Sequence, residues 1–431
     1  MRELPMSASE LVDALLGLSR TELVSILDSC GVGHLGSHLL IAGAKPVETI
    51  EISGADAGSS LAEVERLLSG DLAAIFALSY EFGRKLLGIE TLHDAGAEPD
   101  VSIALFDSLI VHDYASGRTF EIGEGLDLAV GIAVGQTEVS PARVRSNYTR
   151  GEYLATTNEI KERIRRGDTY QTNLTQQLKA ELPSDLSPQE IFRRLRERHP
   201  APFEAFIARA DSTVISASPE RFFRIEDGRI STSPIKGTRP RGKTPEEDAA
   251  LRDDLLSSEK DRAENTMIVD LLRNDLGRVC AYGSVKVDSL CELEEHPTYR
   301  HLVSTVSGSL RSDASISEIL RAVFPCGSIT GAPKISTMRI IDELEPDARG
   351  LSMGAIGYYL PKNEKWKGLR ELGMADFDAS VAIRTMVVRD GVATFNVGGG
   401  ITIESGPAAE YDESLLKAEA LLDAIDGRLI S

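Results

Sequence analysis

The hydrophobic positions of this chain change period many times, and each change marks an element. Residues 153–166 repeat their apolar positions as a helix does and stop at Gly167-Asp168, where Gly167 suits a left-handed C-terminal cap. Residues 170–175 then alternate like a strand. Further helices are expected at 188–198, 257–276, 316–323, 335–344 and 407–425. Pro407 opens the last of these, where its missing N–H costs nothing. Strands are expected at 203–209, 213–217, 302–310, 355–360, 380–389 and 392–397. Between Arg221 and Thr232 the pattern reads strand, Asp227-Gly228 turn, strand, and Asp390-Gly391 joins the last two strands in the same way.

The first third is less regular. Residues 8–30 open as a helix ending in Leu27-Asp-Ser29, 39–42 form a strand and 61–68 a helix. The apolar run 72–78 leads into Ser79-Tyr-Glu-Phe-Gly-Arg84, and 101–106 and 109–114 read as strands. Residues 129–145, rich in Gly and Val and ending in Ser140-Pro141, read as a crossover or linker between regions 1–140 and 141–431. Strands joined by short turns, with helices interspersed, predict an α+β antiparallel architecture rather than a doubly wound parallel sheet.

Composition narrows the function. The 431 residues are 42% hydrophobic and 26% charged, as in an ordinary globular protein. A net charge of −20 argues against nucleic acid or an anionic membrane surface as partner. It also requires that an anionic substrate meet a locally positive pocket or a metal. No apolar run approaches the ~20 residues of a membrane span, and charges interrupt the N-terminus, so the expected location is cytoplasmic. Cys30, Cys280, Cys291 and Cys326 are scattered, without zinc-site spacing, and are expected as reduced thiols.

The candidate chemistry begins with Ser233-Pro-Ile-Lys-Gly-Thr-Arg-Pro-Arg-Gly242, which reads as a Pro- and Gly-framed turn presenting Lys236. The hairpin before it would bring Glu220, in Ser218-Pro-Glu220, to the same pocket. Two readings stand: a solvated surface turn, or a nucleophilic lysine beside an acid/base carboxylate. As a nucleophile Lys236 must lose its proton; burial, the nearby cations Arg239 and Arg241 and a bound metal ion would favour this and Glu220 would oppose it, and the free amine is expected once substrate closes the site. Asp261 with Glu264, and Glu410 with Glu413, are i,i+3 pairs, each on one helix face. They form either solvated acidic faces or a shared site for a hard cation such as Mg²⁺. Gly398-Gly-Gly400 is either a bulge or a backbone cradle for a carboxylate. Arg384 lies in an apolar strand pattern and either snorkels or pairs with an anion. His301 and Ser328 are individually unspecific.

These stretches occur in an order that resembles one family. Ile164-Arg-Arg-Gly-Asp-Thr-Tyr-Gln171, Ser218-Pro-Glu-Arg221, Pro234-Ile-Lys-Gly-Thr-Arg-Pro240, Val269-Asp-Leu-Leu-Arg-Asn-Asp-Leu-Gly277, His301-Leu-Val-Ser304, Gly331-Ala-Pro-Lys334, Ala382-Ile-Arg-Thr385, Gly398–Ile401 and Glu410-Tyr-Asp-Glu413 are similar to the chorismate-utilising enzymes. The N-terminal part resembles them through Leu27-Asp-Ser29 and 79–84. The resemblance implies a sandwich of antiparallel sheets flanked by helices, the fold of anthranilate synthase component I, to which both chain halves contribute. Lys236 resembles the aminodeoxychorismate synthase component I branch, because anthranilate synthases carry alanine there.

For the remaining residues the resemblance implies that Glu264 and Glu410 hold Mg²⁺ with Asp261 and Glu413 nearby. Arg384 and the backbone of Gly399 and Gly400 would grip a substrate carboxylate, His301 and Ser328 would line the ring pocket, and Lys417 would add positive charge. Lys236 would attack chorismate while Glu220 serves the leaving hydroxyl and then the incoming ammonia, which a separate glutaminase would supply. Two features depart from the pattern. Ser352 stands where many relatives have an aromatic residue, and 361–373 is long enough to be an extended hairpin tip. Anthranilate synthase component I is the rival enzyme reading; a non-catalytic glutaminase-binding subunit is the rival of another class.

Overall fold

The computed structural model describes residues 1–430 apart from 34–35, 55, 95, 124–139 and 296–298. Two large sheets form a sandwich with helices on both outer faces. Among the described residues one sheet has 13 strands and the other 10, and nearly all neighbours pair antiparallel. The first sheet interleaves early and late chain: Val24–Asp28 lies between Leu39–Ala44 and Phe203–Ala208. The second does the same, with Ala73–Leu78 against Ala355–Tyr359. Most of the 129–145 linker lies outside the described residues. Among the described residues no helix is long and apolar enough to cross a membrane.

Strand alternation separates the layers. Ile41, Ile207 and Val214 from one sheet meet Ile75, Ile356 and Tyr358 from the other in the middle of the sandwich. The alternate residues Leu40, Phe206 and Ile215 face outward onto Leu15, Ile191, Leu195 and Leu421 of the covering helices. Phe76 and Leu78 likewise face away from the middle, against Ile268, Leu272 and Phe324.

Most of the expected elements are present, including Pro188–Arg198, the Asp227-Gly228 hairpin, and the Gly167 cap at φ 82°. Four expectations need correction. The first helix ends at Leu18, and Val24–Asp28 is a strand because it is paired on both sides in the core. The tip at 361–373 is helical, and Trp366 is fully buried with its indole N–H on the Asp71 carbonyl at 3.0 Å. The turn expected at Lys236 is the strand Ile235–Pro240, bulged at Gly237 (φ 74°). Finally, 380–389 is two strands. Phe377–Val381 belongs to the second sheet and Thr385–Arg389 to the first, and the chain crosses between sheets at 382–384. Helix Pro245–Ser257 and strand Lys286–Glu295 were not anticipated.

Candidate active site

Two such sheet crossings lie side by side. Thr213–Ser218 belongs to the first sheet and Arg221–Glu226 to the second, so Glu220 sits at one crossing as Arg384 sits at the other. Backbone bonds lock the pair: the Val381 N–H donates to the Glu220 carbonyl at 3.0 Å, and the Ala217 N–H to the Arg384 carbonyl at 2.9 Å. Arg384 adopts φ 48°, a left-handed conformation that costs a non-glycine residue about 1 kcal/mol or more. Among the described residues its guanidinium pairs with no carboxylate. Burial pulls its pKa below the usual arginine value, with Tyr299 acting in the other direction. A half-buried cation without a counter-ion is a ready partner for an anionic ligand.

Lys236 approaches from the strand beside His301 and Leu302. Gly237 allows helix Glu259–Gly277 to come close; a Cβ there would stand 3.0 Å from the Asp261 side chain. One turn on, Glu264 Oε1 lies 2.8 Å from Lys236 Nζ and accepts a 2.6 Å bond from Gln171 Nε2. Lys236 also donates to the Ser328 carbonyl at 3.4 Å. Burial lowers the Lys236 pKa, but the Glu264 charge and hydrogen bond, helped by Glu220, outweigh it and hold it above the usual lysine value. The expected help from neighbouring cations is absent in this arrangement. Arg239 is bound to Asp254 at 2.6 Å and Asp261 at 3.3 Å, and Arg241 to Asp248 at 2.9 Å. Their charge is already neutralised, so Lys236 rests as an ammonium.

Glu220 is buried, and its Oε1 has no hydrogen-bond partner. Burial raises its pKa; Ser328, the Lys236 charge, the Ile235 N–H and Lys417 oppose this without cancelling it. A carboxyl whose proton is held above the ordinary range suits a proton donor.

Three of the four acids, Glu264, Glu410 and Glu413, lie at the glycines at the end of Val392–Ile401. A Cβ on Gly400 would stand 2.7 Å from Glu264 Oε1; one on Gly399 would stand 3.5 Å from Glu410 Oε2 and Glu413 Oε1, and 3.2 Å from Lys417 Nζ. Lysines already serve these acids: Lys417 meets Glu413 at 2.7 Å and the Gly398 carbonyl at 3.0 Å, and Lys260 meets Glu410 at 3.6 Å. Among the described residues no three His, Cys, Asp or Glu side chains are close enough to hold a metal as they stand. Glu264 and Glu410, each beside one of two adjacent glycines, nevertheless present carboxylate oxygens of the kind a hard cation takes one or two of. Asp261 turns instead to Arg239.

His301 is buried, with Nδ1 3.0 Å from Thr238 Oγ1 and its ring against Tyr299. Ser328 lies in the 3-10 turn Gly327–Ile329, with Oγ 3.2 Å from Cys326 Sγ. Ser352 accepts from the Asn396 N–H at 3.1 Å and so braces the strand two residues before Gly398. Gln171, which closes a quoted motif but received no role, is the functional neighbour that sequence reasoning missed. A cavity of about 60 Å³ between the sheets, lined by Ser29, His38, Glu204 and Tyr358, includes none of these residues.

The family described as chorismate binding enzyme matches residues 30–423, and the chain belongs to it. An aminodeoxychorismate synthase from Streptomyces griseus is 46% identical over 66% of this chain, which spans 37% of that longer protein. Aminodeoxychorismate synthase component 1 from Klebsiella aerogenes is 38% identical over 82% of the chain and 77% of its own length. Anthranilate synthase component 1 from Pseudomonas putida is 35% identical over 83% and 75%. Anthranilate synthase component I from Streptococcus pneumoniae superposes with a TM-score of 0.77 at 27% identity, over 91% of this chain and 93% of that one.

Proposed function

We propose that this chain converts chorismate and ammonia to 4-amino-4-deoxychorismate. The observation that carries this reading is Lys236, held between Glu264 and the Ser328 carbonyl with the charge of Glu220 nearby. Relatives of both the aminodeoxychorismate and anthranilate branches match the chain, and the lysine favours the first.

Arg384 and the N–H groups around Gly400 grip a substrate carboxylate. Lys236 Nζ, once deprotonated, bonds to ring carbon 2 as the 4-hydroxyl leaves, and Glu220 protonates that hydroxyl. Ammonia then bonds to carbon 4 and expels the lysine nitrogen, and Glu220 takes up the proton ammonia sheds. Mg²⁺, held by Glu264 and Glu410, would supply the positive charge that lets a dianion approach these carboxylates. Glu264 engaged in that way holds the Lys236 ammonium less firmly, which favours the free amine. A separate glutaminase supplies ammonia from glutamine in this reading.

The test is to incubate the purified chain with chorismate, Mg²⁺ and ammonium and identify the product. 4-Amino-4-deoxychorismate is expected, and none with glutamine in place of ammonium. Anthranilate with released pyruvate would assign the rival reaction.

A further inference from the structure

The strand Gln171–Glu181 carries Gln171 into the site, and one of its edges is incomplete. Residues 171–172 pair with 331–332, and 178–181 pair with 143–146, but among the described residues no strand covers 173–177 on that edge, where the Asn173 N–H donates to the Thr330 carbonyl and Asn147 serves Gln177. Buried backbone groups left open there would cost as much as lost hydrogen bonds. Two side chains fill part of the gap. Glu345 Oε1 accepts the Thr175 N–H at 2.6 Å and its hydroxyl at 2.9 Å. Arg349 Nη2 donates to the Asn173 carbonyl at 2.6 Å. The two are themselves joined by a fork, Nε to Oε2 at 2.8 Å and Nη2 to Oε1 at 2.7 Å.

The same guanidinium reaches a second functional segment. Arg349 Nη1 donates to the Ile329 carbonyl at 3.1 Å, one residue beyond Ser328. Its plane lies over the Tyr80 ring at 4.6 Å, and its own N–H donates to Glu81 at 3.0 Å, so the helix Tyr80–Leu86 of the N-terminal region forms the back wall. One rigid fork therefore spans from the strand bearing Gln171, which holds Glu264, to the turn bearing Ser328, which contacts Lys236 and lies by Glu220. Arg349 is buried and far too enclosed to meet substrate.

We infer that Arg349 is a positioning residue: with Glu345 it acts as a surrogate strand that sets the spacing between Gln171 and Ser328, and so between Glu264 and Lys236. The inference rests on the functional reading above. Lysine cannot replace arginine here, because a single ammonium does not offer the planar fork that reaches two carbonyls and a carboxylate at once.

The experiment compares Arg349→Lys with Arg194→Lys. Arg194, a buried arginine on helix Pro188–Arg198, pairs with Glu190 one turn back and with the more exposed Asp426, and serves as a control for lost stability. Arg349→Lys is expected to lower kcat roughly 10- to 100-fold through misplacement of the reacting groups. KM for chorismate should stay within about threefold, since Arg349 contacts neither Arg384 nor Gly400 directly. Amide exchange should quicken at 173–175 and 329–330. Arg194→Lys should lose thermal stability with kcat unchanged. The inference is overturned if Arg349→Lys keeps wild-type kcat, or if kcat in both variants merely follows their loss of stability. Failure of the functional reading shows separately, as a wild-type product other than 4-amino-4-deoxychorismate, and chorismate consumption then serves as the rate.

Discussion

The ammonium of Lys236 lies 2.8 Å from Glu264, and the same carboxylate oxygen accepts a bond from Gln171. The group proposed as nucleophile is thus held by a group proposed as metal ligand. Resting protein keeps the lysine charged, and the reaction requires that this pair be loosened.

Replacing Lys236 tests the subfamily reading. Lys236→Ala should lose the aminated product at low ammonia, yet still bind chorismate through Arg384 and Gly400. Wild-type protein trapped with chorismate and no ammonia should show a mass increment on the peptide containing Lys236. Aminodeoxychorismate formation by Lys236→Ala at the wild-type rate would make the lysine a structural residue.

Glu220 sets one limb of the pH profile. Its pKa is raised by burial, so the proton-donating form persists above the ordinary carboxyl range and is lost as pH rises through the folded value. Turnover should fall across that alkaline limb. Glu220→Gln should lower kcat roughly 100-fold and remove the limb; an unchanged profile would take the acid role from Glu220.

The converging acids predict a metal requirement. Turnover should vanish in EDTA and return with Mg²⁺, and Glu264→Gln or Glu410→Gln should abolish it. In Glu264→Gln the Lys236 pKa should also drop, because burial then acts without its main opponent. Full activity in the chelator would exclude the cation.

A fourth expectation concerns stability away from the site. Glu204 is buried with Oε2 unpartnered, and burial together with the Asp28 charge pushes its carboxyl well above the usual range. Its folded pKa exceeds its unfolded one, so its contribution is present below the unfolded pKa and is lost as pH rises through the folded one. Glu204→Gln should therefore raise the melting midpoint at pH 8 by roughly 2–4 °C and change it little at pH 4. Calorimetry at both values decides it.

What the sequence determined by itself was local. Asp227-Gly228 and Asp390-Gly391 need left-handed turns, Gly167 caps a helix, and Pro407 opens one; each acts through its own backbone dihedrals. The i,i+3 spacing likewise put Asp261 with Glu264, and Glu410 with Glu413, on single helix faces, because helix geometry alone dictates it. Tertiary structure decided which of these charges meet. Glu264 and Glu410 converge on Gly400 and Gly399 while Asp261 is drawn to Arg239, a choice made by how two distant helices cross one strand. The apolar run 380–389 looked like one strand, since periodicity does not register that Ala382–Arg384 must carry the chain from one sheet to the other. Trp366 looked like the tip of a hairpin because the charged residues around it are local, whereas its burial against Asp71 is not. The resting state of Lys236 followed the same rule: the sequence placed two arginines near it, but the fold gave those arginines to Asp248, Asp254 and Asp261 and gave the lysine to Glu264. A charge takes its character from the partner within a few ångströms, and that partner is assigned by the fold.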